Sequence, residues 1–389
     1  MIDQTYILAA RRSPGGAFLG SLSGARAVDL GAMVVKELLA GTKIQSEQVD
    51  EVIMGNVVSS GLGQAPARQV ALKSGIPPQV AALTINKVCG SGLKAVMLAA
   101  AAVQLGDADL VVAGGMESMS QAPHLLQGAR RGWKFGAQAV VDALQFDGLT
   151  CGVTAESMIS QAEYTANKFS IDRLAQDEYA LESHRRAVAA QSEGLFDREL
   201  VEVEVRGKAV TKDQCPRPDT SIDKLAGLRP VIAEGTVTAG NASAMADGAA
   251  AVLVGSGQWV EKQNLQPLAR VVAYATAGVE PMDVFIAPVM AIRKVLDKAG
   301  LGVDDIDLFE LNEAFAVQML ACIQELQLPT DRLNVHGGGI ALGHPLGASG
   351  ARVLVTLLHA MQQRKVRRGL VSLCLGGGNA VAMIVERCD

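Results

Sequence analysis

Cys89 is the residue of this sequence best placed for covalent chemistry. It lies between a short β-type run, residues 83–85, and an alanine-rich helix that is expected to begin near Leu93. A cysteine in that position faces the positive end of the helix dipole, which favours the nucleophilic thiolate over the thiol. Gly90 and Gly92 leave room for a substrate carbonyl to approach backbone N–H groups. Because most free cysteines are simply small buried residues, this stretch alone supports catalysis and packing about equally.

Three other positions carry groups suited to the same chemistry. His344 lies in the glycine-flanked segment GHPLGASG ahead of a helix, Cys374 stands shortly before three consecutive glycines, and Asn312 follows a short apolar strand. Each also has a purely structural explanation: a hydrogen-bonded histidine, a buried strand cysteine and a helix N-cap. The other cysteines have no glycine-rich or histidine neighbours, and we expect them to be structural.

The second half of the chain repeats the pattern of the first. Residues 336–355, which contain His344, resemble the segment around Cys89, because both have a Gly/Ser-rich turn followed by a helix. Three further pairs of segments correspond: 6–10 with 271–276, 48–56 with 303–315, and 109–115 with 369–378. Such a duplication would place the two turns face to face where the halves meet, and pockets commonly form at such junctions.

The elements that must position these residues indicate a layered α/β fold. Short β runs alternate with helical periodicity along most of the chain. Helices are expected over residues 27–40, 155–166 and 171–191. After about residue 120 the sequence becomes more polar and the alternation stops, which indicates an inserted domain. The expected organisation is an N-terminal half over 1–119 completed by about 245–268, an insertion over 120–244, and a C-terminal half over 269–389.

Composition excludes several classes of protein. Only 19% of the 389 residues are charged, against roughly 25% on average, which indicates closely packed layers and a surface partly used as a subunit interface. The net charge of -5 argues against a nucleic-acid partner. No C-x-x-C pair is present, so neither a zinc site nor a disulfide framework is indicated. The N-terminus has no hydrophobic signal core, and no apolar run is expected to reach the roughly 18 residues of a membrane span. We therefore expect no membrane association and a cytoplasmic location with reduced thiols.

Six segments together resemble the thiolase family over essentially the whole chain. They are NKVCGSGLKA, GGMESMS, EGTVTAGNAS, NEAFA, GHPLGASGAR and CLGGGNAVA, in this order and spacing. The resemblance is greatest to acetoacetyl-CoA thiolases (acetyl-CoA acetyltransferases), followed by 3-ketoacyl-CoA thiolases. It implies a five-layer αβαβα sandwich of two βαβαβαββ halves, with a loop domain inserted in the first. It also implies acyl-CoA and CoA as substrates, no bound cofactor or metal, and a homodimer or homotetramer.

The resemblance implies a role for each candidate residue. Cys89 would be the acylated nucleophile, and His344 would take its proton. Asn312 would fix a water that joins His344 in one oxyanion hole, and the N–H groups of Cys89 and Gly376 would form the second. Cys374 would move the α-proton of acetyl-CoA. The residues implied to line the pantetheine and acyl pocket are Ser243, Ala239, Met245, Ala314, Phe315 and Arg217.

Two segments depart from the family pattern. Thr150-Cys151 stands where acetoacetyl-CoA members have His-Met, and residues 285–288, FIAP, stand for G-x-G-P. Both segments are expected to touch the acyl pocket, so a 3-ketoacyl-CoA thiolase with longer-chain preference stays open, as does the physiological direction. A ketoacyl synthase-like condensing enzyme is a weaker alternative because of Cys374. A non-catalytic acyl-CoA-binding protein is also weaker, because it would be expected to have lost one of the three candidate catalytic side chains.

Overall fold

The computed structural model describes residues 4–388. The strands in this range are β1 (Thr5–Arg12), β2 (Gly16–Ala17), β3 (Glu51–Gly55), β4 (Ala81–Ile85), β5 (Leu110–Ser118), β6 (His124–Leu125), β7 (Val141–Asp142), β8 (Val203–Val205), β9 (Lys208–Val210), β10 (Ala246–Ser256), β11 (Ala269–Gly278), β12 (Leu308–Leu311), β13 (Arg368–Leu375) and β14 (Asn379–Arg387). The α-helices are α1 (Ala27–Ala40), α2 (Pro66–Lys73), α3 (Ser91–Leu105), α4 (Met158–Phe169), α5 (Arg173–Ser192), α6 (Ile222–Ala226), α7 (Gly257–Lys262), α8 (Ala287–Ala299), α9 (Ala316–Leu326), α10 (Gly339–Leu342) and α11 (Leu346–Arg364).

The main sheet shows the duplication directly. Its strand order is β12-β13-β14-β11-β1-β10-β5-β3-β4, with β2 paired to β10. The first half contributes β4-β3-β5-β10-β1, and the second contributes β12-β13-β14-β11 in the corresponding order. An isolated bridge between Phe309 and Leu333 stands where the second half would carry its equivalent of β4. The two half-sheets join where β1 pairs with β11, at Tyr6–Arg270 and Ile7–Ala269. The predicted internal repeat is therefore confirmed.

Three apolar cores separate five layers. Helices α1 and α2 pack against the first half-sheet in one core. Helices α8 and α9 pack against the second half-sheet in another. Between the half-sheets, α3 and α11 form the central core, with Leu93 and Val96 meeting residues such as Leu354. This arrangement is the predicted αβαβα sandwich, in which the two central helices carry the predicted active-site turns at their N-terminal ends.

Helices α3 and α11 cross so closely that two of their residues must be glycine. A Cβ added to Gly92 would lie 2.7 Å from the Ala351 nitrogen, and one added to Gly350 would lie 2.3 Å from the Leu93 nitrogen. No side chain can be accommodated at such backbone contacts. The crossing fixes the first turns of both helices side by side, and it therefore fixes the segments that carry Cys89 and His344.

The residues between β5 and β10 add no strand to the main sheet. Strands β6 to β9 form two separate two-stranded sheets, and α4, α5 and α6 complete this segment. Helix α4 begins three residues later than predicted, because Ser157 caps it by accepting a hydrogen bond from the Ser160 N–H. Similarly, Asp172 caps α5 and accepts from Ala175. The exact boundaries of the inserted domain stay a prediction.

The expectation that no apolar run reaches the length of a membrane span was wrong. Val88–Leu105 is 18 residues long and apolar enough to cross a membrane by length and composition alone. In the fold, however, this stretch is the Cys89 turn and helix α3, whose apolar side chains pack between the two half-sheets. Its hydrophobicity is explained by the central core.

Candidate active site

One cavity of about 610 Å³ brings the sequence-predicted residues together where the halves and the inserted segment meet. Cys89, His344, Cys374 and Gly376 all line it. The predicted substrate-binding residues that also line it are Ser243, Ala239, Met245, Ala314, Phe315 and Arg217. Asn312 is the exception, because it is fully buried beside His344 and does not border the cavity.

A strained turn presents Cys89 between β4 and α3. Val88 has a φ of +47°, which is a genuine outlier for a β-branched residue. Two side chains hold the turn: Ser91 Oγ accepts from the Lys87 N–H at 2.8 Å, and Asn86 Oδ1 accepts from the Val88 N–H at 2.9 Å. Nothing in the sequence marks Val88 as special, because a left-handed valine has no signature of its own.

Gly90 lets the Cys89 turn touch the Cys374 segment. A Cβ added to Gly90 would lie 2.3 Å from Leu375 Cδ2, so a larger residue would force the buried Leu375 side chain to move. The close approach brings the Gly376 N–H within hydrogen-bonding reach of the Cys89 sulfur, which the Cys89 N–H also reaches. Two backbone donors are therefore aimed at the atom that would carry an acyl group.

Burial keeps Cys89 protonated, contrary to the expectation from the helix dipole. Desolvation raises the pKa of its thiol to about 12, although the Gly376 and Cys89 N–H groups oppose the shift and Glu117 adds to it. The dipole argument considered only the local helix, whereas the packing of both halves around the sulfur decides the outcome. A nucleophilic role for this thiol thus requires a base.

His344 has the protonation state of a base. Its Nδ1 lies 2.5 Å from Ser349 Oγ, and that hydroxyl donates its own proton to the Pro345 carbonyl oxygen at 2.8 Å. Ser349 must therefore accept the Nδ1 proton, which assigns the lone pair to Nε2. Burial, and then the charge of Arg352, lower the pKa of His344 to about 3. The imidazole is neutral and able to accept a proton.

Asn312 lies against the edge of the His344 ring. Its Nδ2 is 3.4 Å from Nδ1 and 3.5 Å from Nε2 of His344. Its Oδ1 is 3.4 Å from Nη2 of the buried Arg352. The backbone N–H of Asn312 donates to the Ser372 carbonyl at 3.0 Å, which ties this loop to strand β13.

Cys374 lies near the C-terminal end of β13 and is buried. Burial, followed by the charges of Cys89 and Cys322, raises its pKa well above the ordinary value of a thiol. A thiol that acts as a base at neutral pH needs a pKa lowered towards neutrality, and the pKa of Cys374 is shifted in the opposite direction. At rest this thiol is a proton donor that lies next to Cys89.

Glu117 is a buried carboxylate beside the active site that no feature of the sequence marks as functional. Its oxygens accept four hydrogen bonds, from the N–H groups of Val57, Val58 and Gly347 and from the side chain of Asn56, at 2.8–3.2 Å. Burial raises its pKa to about 7 despite these donors. By holding Gly347, Glu117 ties the end of β5 to the start of α11. It lies within the segment GGMESMS, but the sequence does not reveal which donors it meets.

The two segments that depart from the family pattern, residues 150–151 and 285–288, differ in how they reach the cavity. Phe285 lines the cavity and packs edge-to-face on Phe315, with ring centroids 5.0 Å apart. The other segment reaches the cavity through Leu149, whereas the neighbouring Cys151 is buried away from it. The wall of the acyl region is thus largely aromatic and aliphatic.

A second cleft of about 510 Å³ continues from the first. The residues that border both are Ala17, Arg217, Ala239, Ala242 and Ala244. Basic side chains, Arg217 and Lys224, line the second cleft together with the acidic Asp219 and Asp223. Within residues 4–388, no cluster of His, Cys, Asp and Glu is arranged to hold a metal ion.

Comparisons with known proteins match nearly the whole chain to one family. Two family models match: "Thiolase, N-terminal domain" over residues 5–258 and "Thiolase, C-terminal domain" over residues 265–387. An acetyl-CoA acetyltransferase of Chromobacterium violaceum is 51% identical, covering 99% of this chain and 100% of the relative. The crystal structure of Bacillus anthracis acetyl-CoA acetyltransferase is 40% identical with a TM-score of 0.97, covering 99% of each chain. The human mitochondrial 3-ketoacyl-CoA thiolase in complex with CoA is 42% identical with a TM-score of 0.96, covering 99% of this chain and 98% of that one.

Proposed function

Because this chain belongs to the thiolase family, we propose that it joins two acetyl-CoA molecules into acetoacetyl-CoA and CoA, and runs the same reaction in reverse, through an acyl-Cys89 intermediate. Thiolases are acyltransferases that use CoA thioesters as substrates and hold no resident cofactor. The observation that carries the proposal is the convergence of Cys89, His344, Cys374 and the Gly376 N–H on one apolar cavity. The ketoacyl synthase-like and non-catalytic alternatives are less well supported, because the two thiolase family models match both halves of the chain.

Cleavage begins with proton transfer from Cys89. His344 Nε2 takes the thiol proton, and the sulfur adds to the C3 carbonyl of the 3-ketoacyl-CoA. The C2–C3 bond then breaks, its electron pair passes to C2, and the Cys374 thiol donates its proton there to release acetyl-CoA. A CoA thiol next attacks the acyl-Cys89 carbonyl and gives its proton to the Cys374 thiolate. Cys89 leaves as a thiolate and recovers its proton from His344, so both residues return to their starting states.

Two sets of donors would stabilise the developing oxyanions. The N–H groups of Cys89 and Gly376 already point at the Cys89 sulfur, so they would meet the carbonyl oxygen of an acyl group bound there. His344, together with a water held by Asn312, would serve the thioester oxygen of the CoA substrate. A well-aimed donor at such a site is worth about 3–4 kcal/mol in the transition state.

The CoA arm is proposed to run from the first cavity into the second. Ala239, Ser243 and Met245 border the path, and their small or flexible side chains leave room for a pantetheine chain. Arg217 borders both cavities and supplies a positive charge for the phosphates. The crystallised complex of the human relative with CoA supports a CoA site in this fold.

A preference for longer 3-ketoacyl chains is the second candidate. It is favoured by the Phe285–Phe315 pair and Leu149, which give the cavity an apolar wall, and by the likeness to the human 3-ketoacyl-CoA thiolase. Thiolysis rates with CoA and 3-ketoacyl-CoA substrates of increasing length separate the two. The short-chain proposal requires kcat/KM to be highest for acetoacetyl-CoA, and a rise with chain length would favour the second candidate. No thiolysis of any substrate would contradict both.

A cytoplasmic homo-oligomer is also proposed. Strand β4 forms an edge of the sheet, and its Leu83 is exposed. Parallel edge strands of this kind are normally covered. The connection between β6 and β7 exposes Trp133 and Phe135, the latter 98% accessible. We propose that β4 forms a dimer interface and that the β6–β7 segment pairs dimers into a tetramer. A monomeric mass by light scattering would contradict this assembly.

The proposed cytoplasmic location is supported by the cysteines of residues 4–388, which are all free thiols.

A further inference from the structure

Arg352 is a buried cation with unusually poor pairing. It lies on α11 behind His344, with only 5% of its surface accessible. Its Nη2 is 3.4 Å from Asn312 Oδ1, and its Nη1 is 3.5 Å from Glu310 Oε1. Its Nε and Nη1 make no hydrogen bond within the described residues, and neither does Glu310 Oε1.

Such an arrangement is a poor source of stability. Removing a guanidinium from water is costly unless its donors are satisfied. Burial accordingly lowers the pKa of Arg352, and the nearby Arg12 adds to that shift while Glu310 opposes it. Well-packed apolar residues often replace buried ion pairs with no loss of stability. The presence of the Arg352 guanidinium is better explained by its contact with Asn312.

The contact with Asn312 determines how that side chain is oriented. An amide can present either its oxygen or its nitrogen to a neighbour, but a guanidinium has donors only. Arg352 must therefore face the amide oxygen, which leaves Nδ2 facing the ring of His344. A rotated amide would place its oxygen beside the Nε2 lone pair and would remove the donor that is proposed to hold the water of the oxyanion site.

We propose that Arg352 is a positioning residue that holds the Asn312 amide with Nδ2 towards His344 and the oxyanion site. The inference rests on the roles proposed above for His344 and Asn312. It assigns to Arg352 no contact with substrate, because Arg352 does not line the cavity.

A double-mutant cycle tests the inference. Arg352→Met removes the guanidinium with a flexible apolar side chain of similar length, and Asn312→Ala removes the group on which it would act. We expect Arg352→Met to lower kcat for acetoacetyl-CoA thiolysis by roughly 10- to 100-fold, the range for small misplacements of catalytic groups, with KM unchanged. In the Asn312→Ala background the same substitution should change kcat less than about twofold, within the scatter of independent mutations. Arg352→Lys keeps a cationic donor and should retain more activity than Arg352→Met.

The outcomes separate this inference from the proposed function. If Asn312→Ala lowers kcat but Arg352→Met does not, the positioning role is overturned while the proposed reaction stands. Multiplicative effects in the cycle would also overturn it, because they would show that Arg352 acts independently of Asn312. An unchanged kcat in Asn312→Ala would refute the role of Asn312 and the inference with it. Should Arg352→Met fail to fold, the cycle is run with Arg352→Lys, whose smaller loss must likewise vanish in the Asn312→Ala background.

Discussion

Replacement of His344 by alanine should convert acylation into a reaction limited by thiol ionisation. Burial raises the pKa of Cys89 to about 12, so at pH 7 only about one molecule in 10⁵ would carry the thiolate without a base, a penalty of about 7 kcal/mol at 1.36 kcal/mol per pKa unit. General bases typically recover 10²–10⁴-fold in rate. We therefore expect His344→Ala to acylate roughly 10²- to 10⁴-fold more slowly at pH 7.

The pH dependence provides the sharper test. In the native enzyme, His344 is neutral above its lowered pKa of about 3, and the Cys89 thiol keeps its proton below about 12. The acylation rate should therefore be flat from pH 6 to 9. In His344→Ala the rate should rise about tenfold per pH unit over the same range, because the thiolate fraction does. Acylation is followed by stopped-flow release of CoA from acetyl-CoA.

The matched control is His336→Asn, which changes a buried histidine outside the cavity. It should acylate at the native rate with a flat profile. A native rate in His344→Ala, or a slow rate that does not rise with pH, would refute the assignment of His344 as the base.

Three further predictions concern the groups around the two thiols. Cys374→Ser should still acetylate Cys89 but should exchange the α-protons of acetyl-CoA for deuterium far more slowly, since a serine hydroxyl is a poor base; normal exchange by NMR would exclude Cys374 as the carbon acid/base. Gly90→Ala should destabilise the fold by about 1–3 kcal/mol, because the new methyl would meet Leu375; unchanged urea denaturation would contradict that packing. Glu117→Gln should lose about 1–3 kcal/mol, because its NH₂ group would face a backbone donor such as the Gly347 N–H; a stability equal to the native value would show that the ring of donors tolerates an amide.

The duplication was the part of the fold that the sequence predicted best. The turns at Cys89 and His344 were expected to face each other because the segments around them repeat, and the mirrored strand order confirms that repeat. The helix of residues 27–40 was also correct. Helix starts such as Met158 were less well predicted, since a single serine cap decides them.

The electrostatics of the site could not be read from the sequence. The helix dipole at Cys89 is a local feature, whereas the burial that raises its pKa depends on segments far apart in the chain, including Gly376 and Glu117. Arg352 likewise lies in the segment GHPLGASGAR, but its contact with Asn312 exists only because α11 packs against the loop after β12. Distant packing partners of this kind are specified by the whole fold, and a pattern of residue types does not reveal them.

The role of Cys89 as the nucleophile is tested most directly by the mass of the protein after incubation with acetyl-CoA. The native chain should gain one acetyl group, located on the peptide that contains Cys89. Cys89→Ala should gain none, and Cys322→Ala, which removes another buried thiol near Cys374, should be acetylated like the native chain. An acetyl adduct that persists in Cys89→Ala would show that Cys89 is not the nucleophile.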